Sequence, residues 1–163
     1  VGLNLDAAWK GIDFSIFFQG VLKRDWMFDA GDPYFWGAGS GMWQAACFEE
    51  HMDYWTPENT DAYYPKPYFN ETKNQQAQDA YMQKASYLRC KNIQLGYTLP
   101  THITEKAGIS NCRIYLSCDN LFTITGLSSV YDPEAFGSYD GYGTSGKTYP
   151  LQRTISVGVN LNF

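Results

Sequence analysis

The sequence has no run of about 18 apolar residues and so no membrane-spanning helix, a test that is blind to spanning strands of about ten alternating residues. Charge is scarce: Asp, Glu, Lys and Arg make up 18% of the chain, below the usual soluble share of about 25%. A net charge of −5 without clustered Lys and Arg excludes a general nucleic-acid binder, because neutralising phosphates requires such clusters. The four cysteines lack any C-x-x-C spacing, which removes a zinc site and a redox motif. Histidine is limited to His51 and His102, and no Ser-His-Asp or Cys-His arrangement stands out. No catalytic residue, metal ligand or cofactor is therefore assigned. The opening residues also lack a basic start and an apolar block, so no signal peptide is read, and for an exported protein this predicts that the true start lies upstream.

What is present is aromatic: 13 Tyr, 10 Phe and 5 Trp in 163 residues. Two regimes alternate along the chain. In one, apolar side chains recur at every second position, the period of a strand with one apolar face. From Leu151 to Phe163 the odd positions read Leu, Arg, Ile, Val, Val, Leu and Phe, while the even ones are polar or Gly. Five strands are predicted in this way, at about 1–9, 12–20, 87–99, 112–124 and 151–163. The other regime is rich in Gly, Pro, Asn and Asp and supplies the connections.

Those connections alternate in length. Short turns at 10–11 and 100–111 alternate with long segments at about 21–86 and 125–150. Short periplasmic turns and long extracellular loops are the asymmetry of a transmembrane antiparallel β-barrel. The expected fold is thus all-β, a barrel portion of about five strands with its apolar face on outer-membrane lipid. The alternative is a soluble β-sandwich, such as a carbohydrate-binding module, with the apolar faces packed on a second sheet. Open edges at both ends of a membrane sheet would each leave roughly ten backbone groups unpaired, at several kcal/mol per group. That exceeds the about 5 to 15 kcal/mol that holds a typical domain together. The missing strands are expected from the amino-terminal part of a longer parent chain.

Parity then assigns faces. Trp9, Tyr97 and Phe163 fall on the outward parity at the periplasmic ends of their strands and are expected in an interfacial aromatic girdle. Cys112 and Cys118 are expected outward and Cys90 toward the lumen. Arg89, Lys91 and Arg153 share the outward parity, where a cation costs roughly 2 to 4 kcal/mol at mid-membrane but about 0 to 1 near an interface. They are expected at the outer boundary. In the short connection 100–111, Thr101 is expected to cap a brief helix that Gly108 ends.

Several motifs resemble the SusC/RagA family of TonB-linked outer-membrane transporters. They are Tyr54-Trp55-Thr56-Pro57-Glu58-Asn59-Thr60-Asp61-Ala62 with Tyr64-Pro65, and Ser86-Tyr87-Leu88-Arg89 leading into the 91–100 segment. Ile109-Ser110-Asn111 through Asp119-Asn120-Leu121-Phe122-Thr123-Ile124, Tyr131-Asp132-Pro133-Glu134, and the segment from Tyr149-Pro150 to Phe163 complete the set. The resemblance implies the carboxy-terminal part of a barrel that imports oligosaccharides or peptides, driven by TonB and covered by a SusD-like surface lipoprotein. It places the plug domain and the TonB-contacting segment upstream of Val1, and makes Phe163 the end of the signal read by the barrel-assembly machinery.

Other patterns carry less. The 141–148 stretch matches the phosphate-cradling G-x-x-x-x-G-K-[ST] pattern, but Pro150 and a strand follow where a helix is required. Glu49, Glu50, His51 and Asp53 gather acids around one imidazole, and this spacing alone fixes no metal geometry. Asn70-Glu71-Thr72 fits a glycosylation pattern of no weight in a bacterial setting. The aromatic loop residues Trp26, Tyr34, Phe35, Trp36, Trp43, Tyr54 and Trp55 are the candidate contacts with glycan or peptide cargo or with the lipoprotein. The alternative for these rings, and for the segment 63–68, is that they pack the loop against itself.

Overall fold

A computed structural model describes the whole chain except residues 31, 41–44, 46, 70, 71 and 136–148. It divides into two compact units. A sheet unit holds Val1–Arg24, Ser86–Thr125 and Leu151–Phe163, and a loop unit holds Asp25–Ala85 and Gly126–Pro150. The strands are β1 (Gly2–Trp9), β2 (Ile12–Val21), β3 (Asp25–Trp26), β4 (Gln83–Thr98), β5 (Asn111–Asp119), β6 (Thr123–Gly126) and β7 (Thr154–Asn162). The main path runs β1-β2-β4-β5-β7, all antiparallel, with the short β3 and β6 also paired to β4.

The β1–β2 turn is set by two residues. Lys10 and Gly11 both have positive φ, at 47° and 85°, the conformation of the two-residue hairpin turn whose twist matches its strands. A Cβ on Gly11 would stand 2.9 Å from the Thr98 carbonyl oxygen, so glycine is also needed for the close approach of β4. Between β4 and β5 the chain forms one helical turn, α1 (Thr101–Thr104), and Gly108 closes the connection in the left-handed region at φ 71°. Thr101 is not the cap. Pro100 takes that position, and the helix starts without a side-chain cap.

The register joins apolar residues into rows across the sheet. Leu5, Ile16, Ile93, Cys118 and Ile155 make one; Ala7, Phe14, Leu95, Leu116 and Val157 a second; Trp9, Ile12, Tyr97, Ile114 and Val159 a third. Directly opposed residues share a face, so these rows form one continuous apolar surface. The other face carries rows such as Asp6, Ser15, Gln94, Ser117 and Ser156. On that face Arg113 of β5 reaches over β4 to the Asp13 carboxylate of β2, with Nε donating to Oδ1 at 2.9 Å and Nη2 pairing with Oδ2. Gly96 lies beneath this pair, and a Cβ there would come within 2.5 Å of it.

Two expectations fail at a single irregularity. The β2–β4 register shifts between Phe17 and Phe18, where Phe17 pairs with Asn92 and Phe18 with Cys90, leaving Lys91 as the extra residue. A bulge of one residue reverses every parity beyond it. Cys90, expected toward the lumen, therefore lies on the apolar face. Arg89, expected outward, lies on the polar face, where its Nε donates to Thr123 Oγ1 at 2.7 Å. Arg153, also expected outward, precedes the first residue of β7. Cys112 and Cys118 do fall on the apolar face, opposite Leu161 and Ile155.

The 112–124 strand expected from the sequence is broken as well. Asn120 adopts φ 51°, a left-handed conformation that Asn tolerates better than most residues. After it the chain resumes as β6. Asn120 N–H donates to the Lys91 carbonyl and Leu121 N–H to that of Cys90, at 3.0 and 3.1 Å, so the irregularities on β4 and β5 face each other.

Nothing covers the apolar face within the sheet unit. Leu5, Leu95, Leu116, Ile155, Val157 and Val159 are all exposed, Val157 to 74%. The sandwich alternative needs these side chains under a second layer, and among the described residues of this unit there is none. β1 pairs only with β2 and β7 only with β5 among the described residues, so the sheet is open at both ends. Among the described residues no helix is long and apolar enough to cross a membrane.

Candidate functional site

The loop unit has its own core, built outward from Asp32. This buried carboxylate accepts backbone N–H groups from Tyr34 and Phe35 at 3.0 and 2.9 Å, an arrangement that Asp-Pro favours by turning the chain at Pro33. It also accepts the Tyr131 hydroxyl at 3.1 Å, 99 residues away in sequence. Phe28 stacks between Tyr131 and Phe35 with ring centroids 4.3 and 4.6 Å away. Trp36 meets Phe35 and Tyr81 edge-on, both at 4.8 Å. Full burial of rings such as Phe28 and Phe35 contributes about 1.5 to 3 kcal/mol each. The described residues of 25–85 and 126–150 are thus one packed body. Glu50 adds a second clasp, accepting Ser128 and Ser129 hydroxyls at 2.5 and 2.8 Å.

Burial shifts the titration of these groups. It raises the Tyr131 and Tyr64 hydroxyls well above the usual phenol value, with the neighbouring carboxylates Asp32 and Glu50 pushing the same way. Tyr131 therefore stays a hydrogen-bond donor to Asp32. For Glu50, burial acts to raise the value, but the hydrogen bonds from Ser128 and Ser129 and the nearby His51 outweigh it and hold the carboxyl below its ordinary range.

Around this core the Tyr54–Ala62 motif folds a tight loop held by one parallel and one antiparallel bridge. Tyr54 bridges to Tyr64 and Thr56 to Asn59. Asp53 closes it by accepting Asn59 Nδ2 and the Tyr63 N–H, each at 3.1 Å. His51 is structural. Its Nδ1 accepts the Phe48 N–H at 3.0 Å, which leaves Nε2 to donate to the Phe35 carbonyl at 3.0 Å. Its ring packs on Gly37, whose φ of 54° and missing Cβ make the room. Glu50, His51 and Asp53 thus point to different partners, and among the described residues no group of three or more His, Cys, Asp and Glu is placed to hold a metal.

The candidate contact residues separate into two sets. Phe35 and Trp36, candidate contacts for which packing of the loop against itself is the alternative, are core residues at 1% and 6% exposure, because the Asp32 turn folds them inward. Trp26, Tyr34 and Tyr54 are half-buried and Trp55 is exposed. Trp43 and the 141–148 pattern lie outside the described residues. Several concave surfaces form among the described residues of this unit. A cavity of about 100 Å³ is lined by Trp36, His51, Tyr54, Tyr64, Lys66 and Tyr68. A shallower hollow of about 580 Å³ is lined by Tyr34, Phe48, Glu49, Glu50, Asp53 and Val130. Phe48 is not among the residues the sequence singles out, and Glu49 enters there only as part of the acidic cluster around His51. Their only sequence signal is an aromatic residue beside an acid.

The proposed girdle residues are placed as follows. Trp9 and Tyr97 flank Ile12 in one row, and Lys10 Nζ sits 4.7 Å above the Trp9 ring. Phe163 is 88% exposed just past β7, four residues beyond Val159 of the same row.

An antiparallel sheet with one bare apolar face, one hydrogen-bonded polar face, and long connections folded into their own body has the two-faced pattern of strands that cross an outer membrane. Known proteins agree. The chain is 30% identical over 170 residues to TonB-dependent receptor P3 of Formosa agariphila, which covers all of the chain and 16% of the receptor. It is 28% identical over 169 residues to TonB-dependent receptor P26 of the same organism, at 99% and 16% coverage. Among solved structures it matches the RagAB peptide transporter with a TM-score of 0.72 and 28% identity, over 99% of this chain and 17% of that one. The same importer in its closed-closed state gives 0.71. No protein-family model matches. The chain is similar from end to end to one segment, about a sixth in length, of TonB-dependent receptors, which bears out the SusC/RagA resemblance and with it an outer-membrane location. Relatives named as receptors and transporters also fit a non-enzymatic role.

Proposed function

We propose that this chain is the carboxy-terminal part of the barrel of a TonB-linked importer of oligosaccharides or peptides. The observation that carries the reading is the uncovered apolar surface of five registered strands, backed by a polar face with its own Arg113–Asp13 pair. Lipid is the environment in which such a surface is stable, and water-facing lumen the one in which the ion pair is. The remaining strands, the plug and the TonB-contacting segment belong to the rest of the parent protein. In this reading the loop unit is extracellular and offers its concave aromatic surfaces to cargo and to a SusD-like lipoprotein. Trp9, Tyr97 and Phe163 anchor the inner interface, and Phe163 ends the signal for the barrel-assembly machinery. Uptake of fluorescent peptides and oligosaccharides by cells carrying the full-length receptor tests this. Import is expected with TonB and not without it. TonB-independent uptake at an unchanged rate, or a full-length receptor recovered in the soluble fraction, refutes it.

A further inference from the structure

Charge is distributed unevenly between the two parts of the chain. Segments 25–85 and 126–150 contain thirteen Asp and Glu against four Lys, a formal charge of −9. The rest of the chain has four acidic and eight basic residues, a charge of +4. A surface of one sign attracts opposite charge and repels its own over roughly a Debye length, about 10 Å at 0.1 M salt.

The acids of the loop unit are not equivalent. Asp32 is taken up by Tyr34, Phe35 and Tyr131, Glu50 by Ser128 and Ser129, and Asp53 by Asn59 and Tyr63. Glu49 is exposed, and no hydrogen bond or ion pair holds its carboxylate among the described residues. It lines the hollow whose other walls include Tyr34 and Phe48, two rings nearly parallel at 23° with centroids 6.0 Å apart. Ring faces beside carboxylates attract an ammonium or guanidinium, through the ring quadrupole and the acid together. They offer nothing to a uronate or a sulfate.

Resting on the transporter reading, we propose that this hollow receives Lys or Arg side chains, and that the receptor selects cationic peptides over acidic peptides and anionic glycans. The test uses the purified full-length receptor in detergent and three fluorescent decapeptides of alternating sequence, Lys-Ala, Glu-Ala and Ser-Ala, read by anisotropy at low and high salt. The Lys-Ala peptide is expected to bind tightest at low salt and to lose its advantage at high salt. The variant Glu49→Gln is expected to weaken it about threefold to tenfold, as for loss of a partly exposed charge beside aromatic faces, and to leave the Ser-Ala peptide unchanged. Equal binding of the three peptides, a preference for Glu-Ala, or undiminished Lys-Ala binding by the variant overturns the charge selection and leaves import standing. No saturable binding of any of the three, together with no uptake in cells, overturns both.

Discussion

Single residues decide whether the loop unit holds together. Tyr131→Phe keeps the stack on Phe28 but deprives Asp32 of its hydroxyl donor. The expected loss is about 1.5 to 3 kcal/mol, the usual worth of a hydrogen bond to a charged group, seen as faster hydrogen exchange in 28–36 and 127–135 of the full-length receptor. Unchanged exchange would show that the two loops do not depend on this contact. Glu50 gives the second clasp, to Ser128 and Ser129, a pH dependence. Its folded carboxyl lies below the ordinary value of 4.5, so the stabilisation is complete above that value and is lost as pH falls through the folded one. Glu50→Gln should flatten that acid loss in exchange measurements between about pH 5 and 3, the range in which a depressed carboxyl titrates. None of this could be read in the sequence. Asp32 and Tyr131 are 99 residues apart, and an aromatic loop reads alike whether its rings face inward, as Phe35 and Trp36 do, or outward, as Trp55 does.

At the scale of elements the sequence was more informative, because a period of two survives in any environment that distinguishes the faces. The strands around Leu5, Ile16, Leu95, Leu116 and Val157 and the Lys10-Gly11 turn were legible from alternation and turn chemistry. What alternation hides is an inserted residue. Across Lys91 the string Arg-Cys-Lys-Asn gives no sign that two residues face one on β2, so alternation alone puts Cys90 and Arg89 on the wrong faces. Asn120 likewise looks like an ordinary strand residue until its left-handed backbone is seen. The apolar rows yield a graded prediction. Ile155→Arg, in the row with Leu5 and Ile16, should cost about 2 to 4 kcal/mol in unfolding from lipid vesicles, whereas Leu161→Arg, beyond the Trp9–Tyr97 row, should cost about 0 to 1. Equal costs would mean that the aromatic row does not mark an interface.

For the molecule as a whole, everything turns on what lies against the uncovered face, and the likeness to receptors only about a sixth matched by this chain supplies the setting in which to ask it. In a barrel wall, the side chains of β7 from Thr154 to Asn162 alternate between lipid and water along the strand. A sandwich would bury one set and expose the other to the same solvent. Single cysteines placed in turn along β7 of the full-length receptor, in a background with Cys47, Cys90, Cys112 and Cys118 replaced by Ser or Ala, separate these cases. Positions 154, 156, 158 and 160 are expected to react with a charged maleimide in intact vesicles, and 155, 157, 159 and 161 to resist it. Nitroxides attached at the same positions in the unfolded receptor should show the converse with molecular oxygen, a collision partner that concentrates in acyl chains, since only a surface facing lipid is both hidden from the charged reagent and open to the apolar one. If the odd positions resist both reagents, a protein layer covers them and the barrel reading is lost. The register makes the expected period strict, because Ile155, Val157 and Val159 are each tied to a β5 partner, Cys118, Leu116 and Ile114, on the same face.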